Sequence, residues 1–175
     1  MAKQSVTTGR AYVQYKGEFD FDGLFKLITN WIISRRYEFQ EKKYKESAKG
    51  HAGQELKIKL TGEKKENSYI KLYVNVFMRG WDYKEKEVII DGERKIVASG
   101  RIQIEIITKA ETDWQNRFSG TPFKELIGKF YDWVMKKEIE LLHYDVQEYE
   151  TLRLEHEVKK FLKMETDTHA FERGN

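Results

Sequence analysis

The sequence predicts an α+β domain in which helices pack on a curved antiparallel sheet of about six strands. Apolar and polar residues alternate over several segments between positions 11 and 106, which is typical of half-buried strands. In the regions 21–35 and 122–164, apolar residues recur every three or four positions, which indicates amphipathic helices. The dipeptide Asp91-Gly92 between two apolar runs is a strong hairpin signal. The predicted element order is β-α-β-β-β-β-β-α-α.

Length and composition favour one domain. The 175 residues suit a domain over 1–165, with a sheet-and-helix core at 10–143, an additional amphipathic helix at 146–164 and a flexible tail at 166–175. The absence of cysteine excludes disulfides and thiolate catalysis. No apolar run approaches the ~20 residues of a membrane span, and we expect a cytoplasmic protein. The chain has 44 Lys and Glu residues against 12 Asn and Gln, a bias seen in thermophilic proteins.

The first strand and the first helix have clear limits. After a loose polar lead-in over 1–9, Ala11, Val13 and Tyr15 begin a strand that we expect to end near Phe19. A helix follows over 21–35, and Asp20 is placed to cap its free N–H groups. Its apolar stripe suits packing against a sheet.

The remaining strands are predicted from alternation and from hairpin geometry. One begins at Tyr37 and precedes a turn at 49–53, and others cover 56–60 and 70–78. A two-residue turn at Asp91-Gly92 pairs position 90 with 93, which would place Ile102 opposite Trp81. To keep all apolar residues on one face, the strand then needs a one-residue bulge near Arg79-Gly80. The residues that share this face are Val74, Val76, Met78, Ile102, Ile104 and Ile106.

The C-terminal region predicts two helices, 122–143 and 146–164, which meet near residues 143–145. Thr121 is a plausible cap and Pro122 fits the first helical position. A single helix of ~66 Å is the alternative. We expect the first helix to pack on the sheet, and the second to pack there too or to bind a partner chain in a homo-oligomer. The apolar set of the second helix is Val146, Tyr149, Leu152, Val158, Phe161 and Leu162.

The sequence contains no motif that assigns a catalytic site or a metal site. Glycine-rich phosphate loops, HExxH and GxSxG are absent. The spacing Glu140-Leu-Leu-His143 matches one element of a di-iron site, but the second element is missing, and Glu155-His156-Glu157 places its side chains on different sides of a helix. Asp82 follows Trp81, and Asp113 precedes Trp114. If the indole ring packed against the neighbouring carboxyl group, it would raise the pKa of that group. We therefore assign no catalytic residue, metal ligand or cofactor.

One predicted strand face has a composition that suits nucleic acid. Tyrosines and lysines alternate with apolar residues, so aromatic rings could stack on bases while ammonium groups contact phosphates. The candidate residues are Lys57, Lys59, Tyr69, Lys71 and Tyr73. A net charge of only +3 and nine arginines weigh against this interpretation.

Over about residues 10–143 the element order resembles that of helix-grip proteins, the START/Bet v 1-like folds, with one strand fewer. The resemblance is one of topology and includes no residue motif. It implies a curved sheet that wraps a C-terminal helix around an apolar cavity, with Trp81, Tyr83, Phe130, Tyr131 and Trp133 as candidate wall residues. The leading hypothesis is a non-catalytic binding module for an apolar small molecule or a protein partner. The alternatives are a nucleic-acid- or ribosome-associated protein and an oligomeric interaction protein, and enzymatic activity stays open.

Overall fold

The computed structural model describes residues 4–46, 54–90, 93–115, 121–139 and 144–164. The strands are β1 (Gln4–Asp20), β2 (Glu38–Glu46), β3 (Gln54–Lys65), β4 (Ile70–Ile90) and β5 (Glu93–Thr112), and the helices are α1 (Phe21–Ser34), α2 (Pro122–Ile139) and α3 (Asp145–Phe161). The predicted turns at 49–53 and 91–92, the segment 140–143 and the tail at 166–175 lie outside the described residues.

The α+β class and the antiparallel sheet are confirmed. The five strands form one open sheet in the order β1-β5-β4-β3-β2, and every neighbouring pair is antiparallel. Within the described residues there are five strands rather than about six, because the apolar runs at 70–78 and 87–90 belong to the single strand β4. The prediction of a loose lead-in was wrong for residues 4–9, which pair with β5 as part of β1. None of the described helices is both long enough and apolar enough to cross a membrane.

The β4–β5 hairpin contains the predicted bulge, displaced by about three residues. Ile90 pairs with Glu93, and this register continues to Lys84 opposite Ser99. It then shifts by one, so Trp81 lies opposite Arg101 rather than opposite Ile102. Asp82, inside the bulge, adopts a left-handed conformation with φ 56°. Gly100 (φ 151°) faces it so closely that a Cβ there would lie 2.8 Å from the carbonyl oxygen of Trp81, which explains the glycine.

The two helices that cover the sheet lie on the face predicted to be apolar. The fully buried sheet residues include Val13, Leu60, Val74, Val76, Ile104 and Ile106. Helix α1 buries Leu24, Ile28, Trp31 and Ile32 against them. Its predicted cap is confirmed, since the Asp20 carboxylate accepts a hydrogen bond of 2.8 Å from the Gly23 N–H.

The second helix on the sheet is α3, not α2. Helix α3 packs on β1, β5 and α1, whereas α2 packs closely on no other element of the described chain. Helices α2 and α3 lie on either side of the segment 140–143, so most of the predicted junction near 143–145 falls outside the described residues. The Thr121 hydroxyl accepts a hydrogen bond of 3.3 Å from the Lys124 N–H at the start of α2. The buried face of α3 consists of Gln147, Thr151, Leu154 and Val158, while Val146, Tyr149 and Leu152 from the predicted apolar set are exposed.

Candidate ligand-binding groove

Two glycines determine how closely α3 approaches the rest of the domain. A Cβ on Gly9 in β1 would lie 2.5 Å from Thr151 Oγ1, and a Cβ on Gly23 in α1 would lie 2.8 Å from Phe161 Cζ. Real Cβ atoms are not found at such distances, so a side chain at either position would force a neighbouring group to shift. Helix α3 therefore approaches the sheet closely near its middle, at Thr151, and approaches α1 closely at its last residue, Phe161.

A buried polar cluster fixes the rotation of α3. The Thr8 hydroxyl donates to Gln147 Oε1 at 2.7 Å, and the hydroxyls of Thr108 and Thr151 lie 2.8 Å apart. The Gln147 amide donates to the Tyr37 hydroxyl at 3.4 Å. Burial raises the pKa of the Tyr37 hydroxyl above its ordinary value. Because buried polar groups are costly to separate from their partners, rotating α3 would be unfavourable.

With α3 held in this way, a groove of about 880 Å³ runs between α1 and α3. Its lining on α1 extends from Gly23 to Arg35, which corresponds to a length of about 18 Å at 1.5 Å per residue. Side chains at every third or fourth position of both helices line it, because these positions share a helix face. The lining residues are Gly23, Lys26, Leu27, Asn30, Trp31, Ser34, Arg35, Tyr149, Leu152, Arg153, His156 and Glu157.

The groove combines an apolar floor with a charged rim, on which Lys26, Arg35 and Arg153 outnumber Glu157. Leu27, Trp31 and Leu152 supply apolar surface, and the indole N–H of the buried Trp31 has no hydrogen-bond partner within the described part of the chain. The Arg35 guanidinium lies 3.9 Å from the centre of the Trp31 ring and forms an ion pair with Glu150.

Lys26 and Arg153 add positive charge to the rim. Arg153 contacts Glu150 at 3.5 Å. The groove can therefore accommodate apolar surface and attract a negative group at its edge.

The residues predicted to form a cavity wall are not brought together. Tyr83 is buried against Phe21 with ring centres 5.7 Å apart, and its hydroxyl donates to Glu85 at 2.8 Å. Burial raises the pKa of Tyr83, and the hydrogen bond to Glu85 adds to this effect. Phe130 and Trp133 lie on α2 at 63% and 75% exposure, so they do not close a cavity over the sheet. Tyr131 lies in the same helix.

Trp81 lies at a smaller depression of about 330 Å³ on β1, β4 and β5. Arg101 and Gln103 also line it. The guanidinium of Arg79 is 5.7 Å from the centre of the Trp81 ring. Trp81 is therefore separated from the groove between the helices.

The predicted nucleic-acid surface occupies the sheet face opposite the helices, and carboxylates lie beside its lysines. Lys71 pairs with Glu63 at 2.6 Å, a hydrogen bond that raises the pKa of the ammonium group. Lys57 pairs with Glu55 at 3.3 Å. Because these carboxylates offset the lysine charge, the surface has less capacity to attract phosphate than the sequence pattern suggests.

The other members of this surface differ in exposure. Lys59 lies 5.2 Å from the centre of the Phe77 ring. The hydroxyl of Tyr73 donates to Glu111 at 2.6 Å, and burial raises its pKa. Tyr69 is buried rather than available for stacking.

The acid and histidine candidates are dispersed. Asp82 pairs with Arg101 at 2.8 Å on the exposed bulge, and Asp113 is buried at the end of β5. His156 lines the groove, while Glu140 and His143 lie outside the described residues. Within the described ranges, no group of three or more His, Asp or Glu side chains is arranged to hold a metal ion.

Sequence reasoning missed Gly9, Gly23 and the buried cluster around Thr151. These small and polar residues interrupt an apolar pattern, and the only signal for them is the polar stripe on α3 itself.

No known protein-family model matches the chain, and no curated protein matches it either.

Proposed function

We propose that the protein is a non-catalytic binding module whose α1–α3 groove takes an elongated apolar small molecule with an anionic group. The main support for the proposal is an apolar floor combined with a rim on which basic residues outnumber acidic ones. Arg35 and Arg153 both pair with Glu150, so Lys26 is the rim cation on which the proposal relies. Its volume of about 880 Å³ falls within the range of small-molecule sites, roughly 300–1,000 Å³. The absence of a catalytic motif in the sequence favours binding over catalysis.

The shape and the charge of the groove define the ligand class. A length of about 18 Å suits an extended chain better than a compact ring system. Burying apolar surface contributes about 25 cal/mol per Å², so a long alkyl chain supplies most of the affinity. Lys26 lies on the rim, where its ammonium group can attract a carboxylate or a phosphate.

A titration with a fluorescent long-chain carboxylate tests the proposal. Leu152→Asp places a charge on the groove floor, and we expect it to weaken binding at least tenfold. Ile33→Asp is the matched control, since Ile33 is 52% exposed, Leu152 is 50% exposed, and Ile33 does not line the groove. We expect this control variant to bind the carboxylate with unchanged affinity.

Charge at the rim is tested separately. Lys26→Glu weakens binding of the carboxylate, but not of the alcohol with the same chain length. Lys160→Glu, a reversal on the exposed side of α3 outside the groove, weakens neither. If the carboxylate does not bind up to its solubility limit, or if Ile33→Asp weakens it as much as Leu152→Asp, the groove is not the site. Native mass spectrometry of protein purified from its source then reports whether a peptide or another ligand is bound.

A further inference from the structure

Helix α2 presents a contiguous apolar face to solvent. Six large apolar side chains on this helix are between 41% and 75% exposed: Phe123, Leu126, Ile127, Phe130, Trp133 and Val134. The rings of Phe130 and Trp133 lie 6.1 Å apart and form the centre of the patch. No other element of the described chain packs closely on it. This face is independent of the α1–α3 groove, which α2 does not line.

The exposed area is larger than a monomer ordinarily tolerates. With ~200 Å² for a whole aromatic side chain and ~150 Å² for a whole aliphatic one, the exposed fractions amount to roughly 650 Å². The largest apolar patch on a typical monomer is about 300–600 Å². Two such faces together would bury roughly 1,300 Å², which lies within the range of stable protein interfaces, about 1,200–2,000 Å².

The apolar positions of α2 are also nearly symmetric along the helix. If two copies pair antiparallel about Phe130, Leu126 lies opposite Val134 of the second copy and Ile127 lies opposite Trp133. Five of the six exposed apolar positions then meet an apolar position, and Phe123 lies opposite Lys137 of the second copy. A two-fold interface requires this self-complementarity, whereas an unrelated partner does not.

We propose that the α2 face is a homodimer interface, in which the α2 helices of two copies of this chain pair antiparallel about Phe130. The self-complementary spacing and the buried area support a second copy as the occupant. A lipid surface and a different protein are the competing occupants, and the experiment separates them.

Sedimentation velocity between about 1 and about 100 µM protein provides the first test, because by mass action the fraction of dimer rises with protein concentration. The full chain is expected to reach about twice the 20.9 kDa of one copy. Phe130→Glu and Trp133→Glu should weaken association by at least ~30-fold, as for a central interface residue. Ile33→Glu, at an exposed site on α1, should leave it unchanged. Circular dichroism confirms that each variant is folded.

A cross-linking experiment tests the antiparallel arrangement. Because the chain has no cysteine, a single introduced cysteine can form only an intermolecular disulfide. Phe130→Cys lies on the two-fold axis and should cross-link, whereas Phe123→Cys should not, since the two copies of residue 123 would be about 21 Å apart along the helices. A disulfide at 123, a monomer at every concentration, or a dimer whose dissociation constant Trp133→Glu leaves unchanged would overturn the proposal. A monomer that floats with anionic vesicles would assign the face to a lipid surface instead.

Discussion

Replacement of Gly9 by alanine tests whether the close approach of α3 to β1 stabilises the fold. The added Cβ would lie 2.5 Å from Thr151 Oγ1 and 2.9 Å from Thr108 Oγ1. Both hydroxyls belong to the buried polar cluster and are hydrogen-bonded to each other, so neither moves without losing a contact. Overpacking of this kind costs about 1–3 kcal/mol, and we expect Gly9→Ala to lower the free energy of unfolding by about 2 kcal/mol. For a chain of this size, that corresponds to a fall in Tm of about 4–8 °C.

The assay is urea unfolding followed by far-ultraviolet circular dichroism at one fixed protein concentration. Gly80→Ala is the matched control, since its Cβ would meet its nearest neighbour at 3.6 Å, an ordinary contact. Thr151→Ala removes the hydroxyl nearest to the new Cβ, so the double variant should be more stable than the sum of the two single changes predicts. The reasoning is refuted if Gly9→Ala costs less than about 0.5 kcal/mol, or if Thr151→Ala shows no coupling with it.

Three further predictions concern α1, the bulge and alkaline pH. Asp20→Ala removes the cap of α1 and should cost about 1 kcal/mol in urea unfolding, whereas Asp20→Asn keeps an acceptor and should cost less. Gly100→Ala should cost about 1–3 kcal/mol in the same assay, because its φ of 151° and the Trp81 carbonyl exclude a side chain; a neutral result would mean that the bulge rearranges freely. Because burial raises the pKa of Tyr83 above 10.0, the unfolded chain loses a proton above that pH that the folded chain keeps, and stability falls as pH rises. Tyr83→Phe should reduce this fall by up to ~1.4 kcal/mol per pH unit between about pH 10 and 11.5, and an unchanged slope would contradict it.

The strands and the first helix could be predicted from local patterns of apolar residues in the sequence. Alternation in β4 and β5 identified the buried face correctly because side chains point to opposite faces with a period of two. Hairpin arithmetic predicted the bulge, since a register error would have exposed Val74 and Val76. The bulge lies a few residues from its predicted position, because apolar periodicity does not indicate at which residue the hydrogen-bond register shifts. The extra residue is accommodated at Asp82, which adopts a left-handed conformation.

The assignment of the packing helix failed for a physical reason. Helix α2 has the larger apolar face, and an apolar stripe normally packs on the nearest core. Helix α3 packs there instead with a face that includes Gln147 and Thr151, whose hydrogen bonds to Thr8 and Thr108 come from strands far away in sequence. A single-sequence pattern contains no information on such long-range partners. The groove could not be predicted for the same reason, because it exists only where α3 lies beside α1.

The pairing of β1 with β5 has a consequence for synthesis of the chain. Residue 20 of β1 lies opposite residue 97, and residue 4 lies opposite residue 112, so the first strand of the described chain pairs with the last one along that chain. At about 5–20 residues per second, β1 is without its partner for roughly 5–20 s after it has been synthesised. During that interval its apolar residues Ala11 and Val13 have no sheet to join. The domain therefore completes its sheet in one late step, when β5 emerges between β1 and β4 and pairs with both.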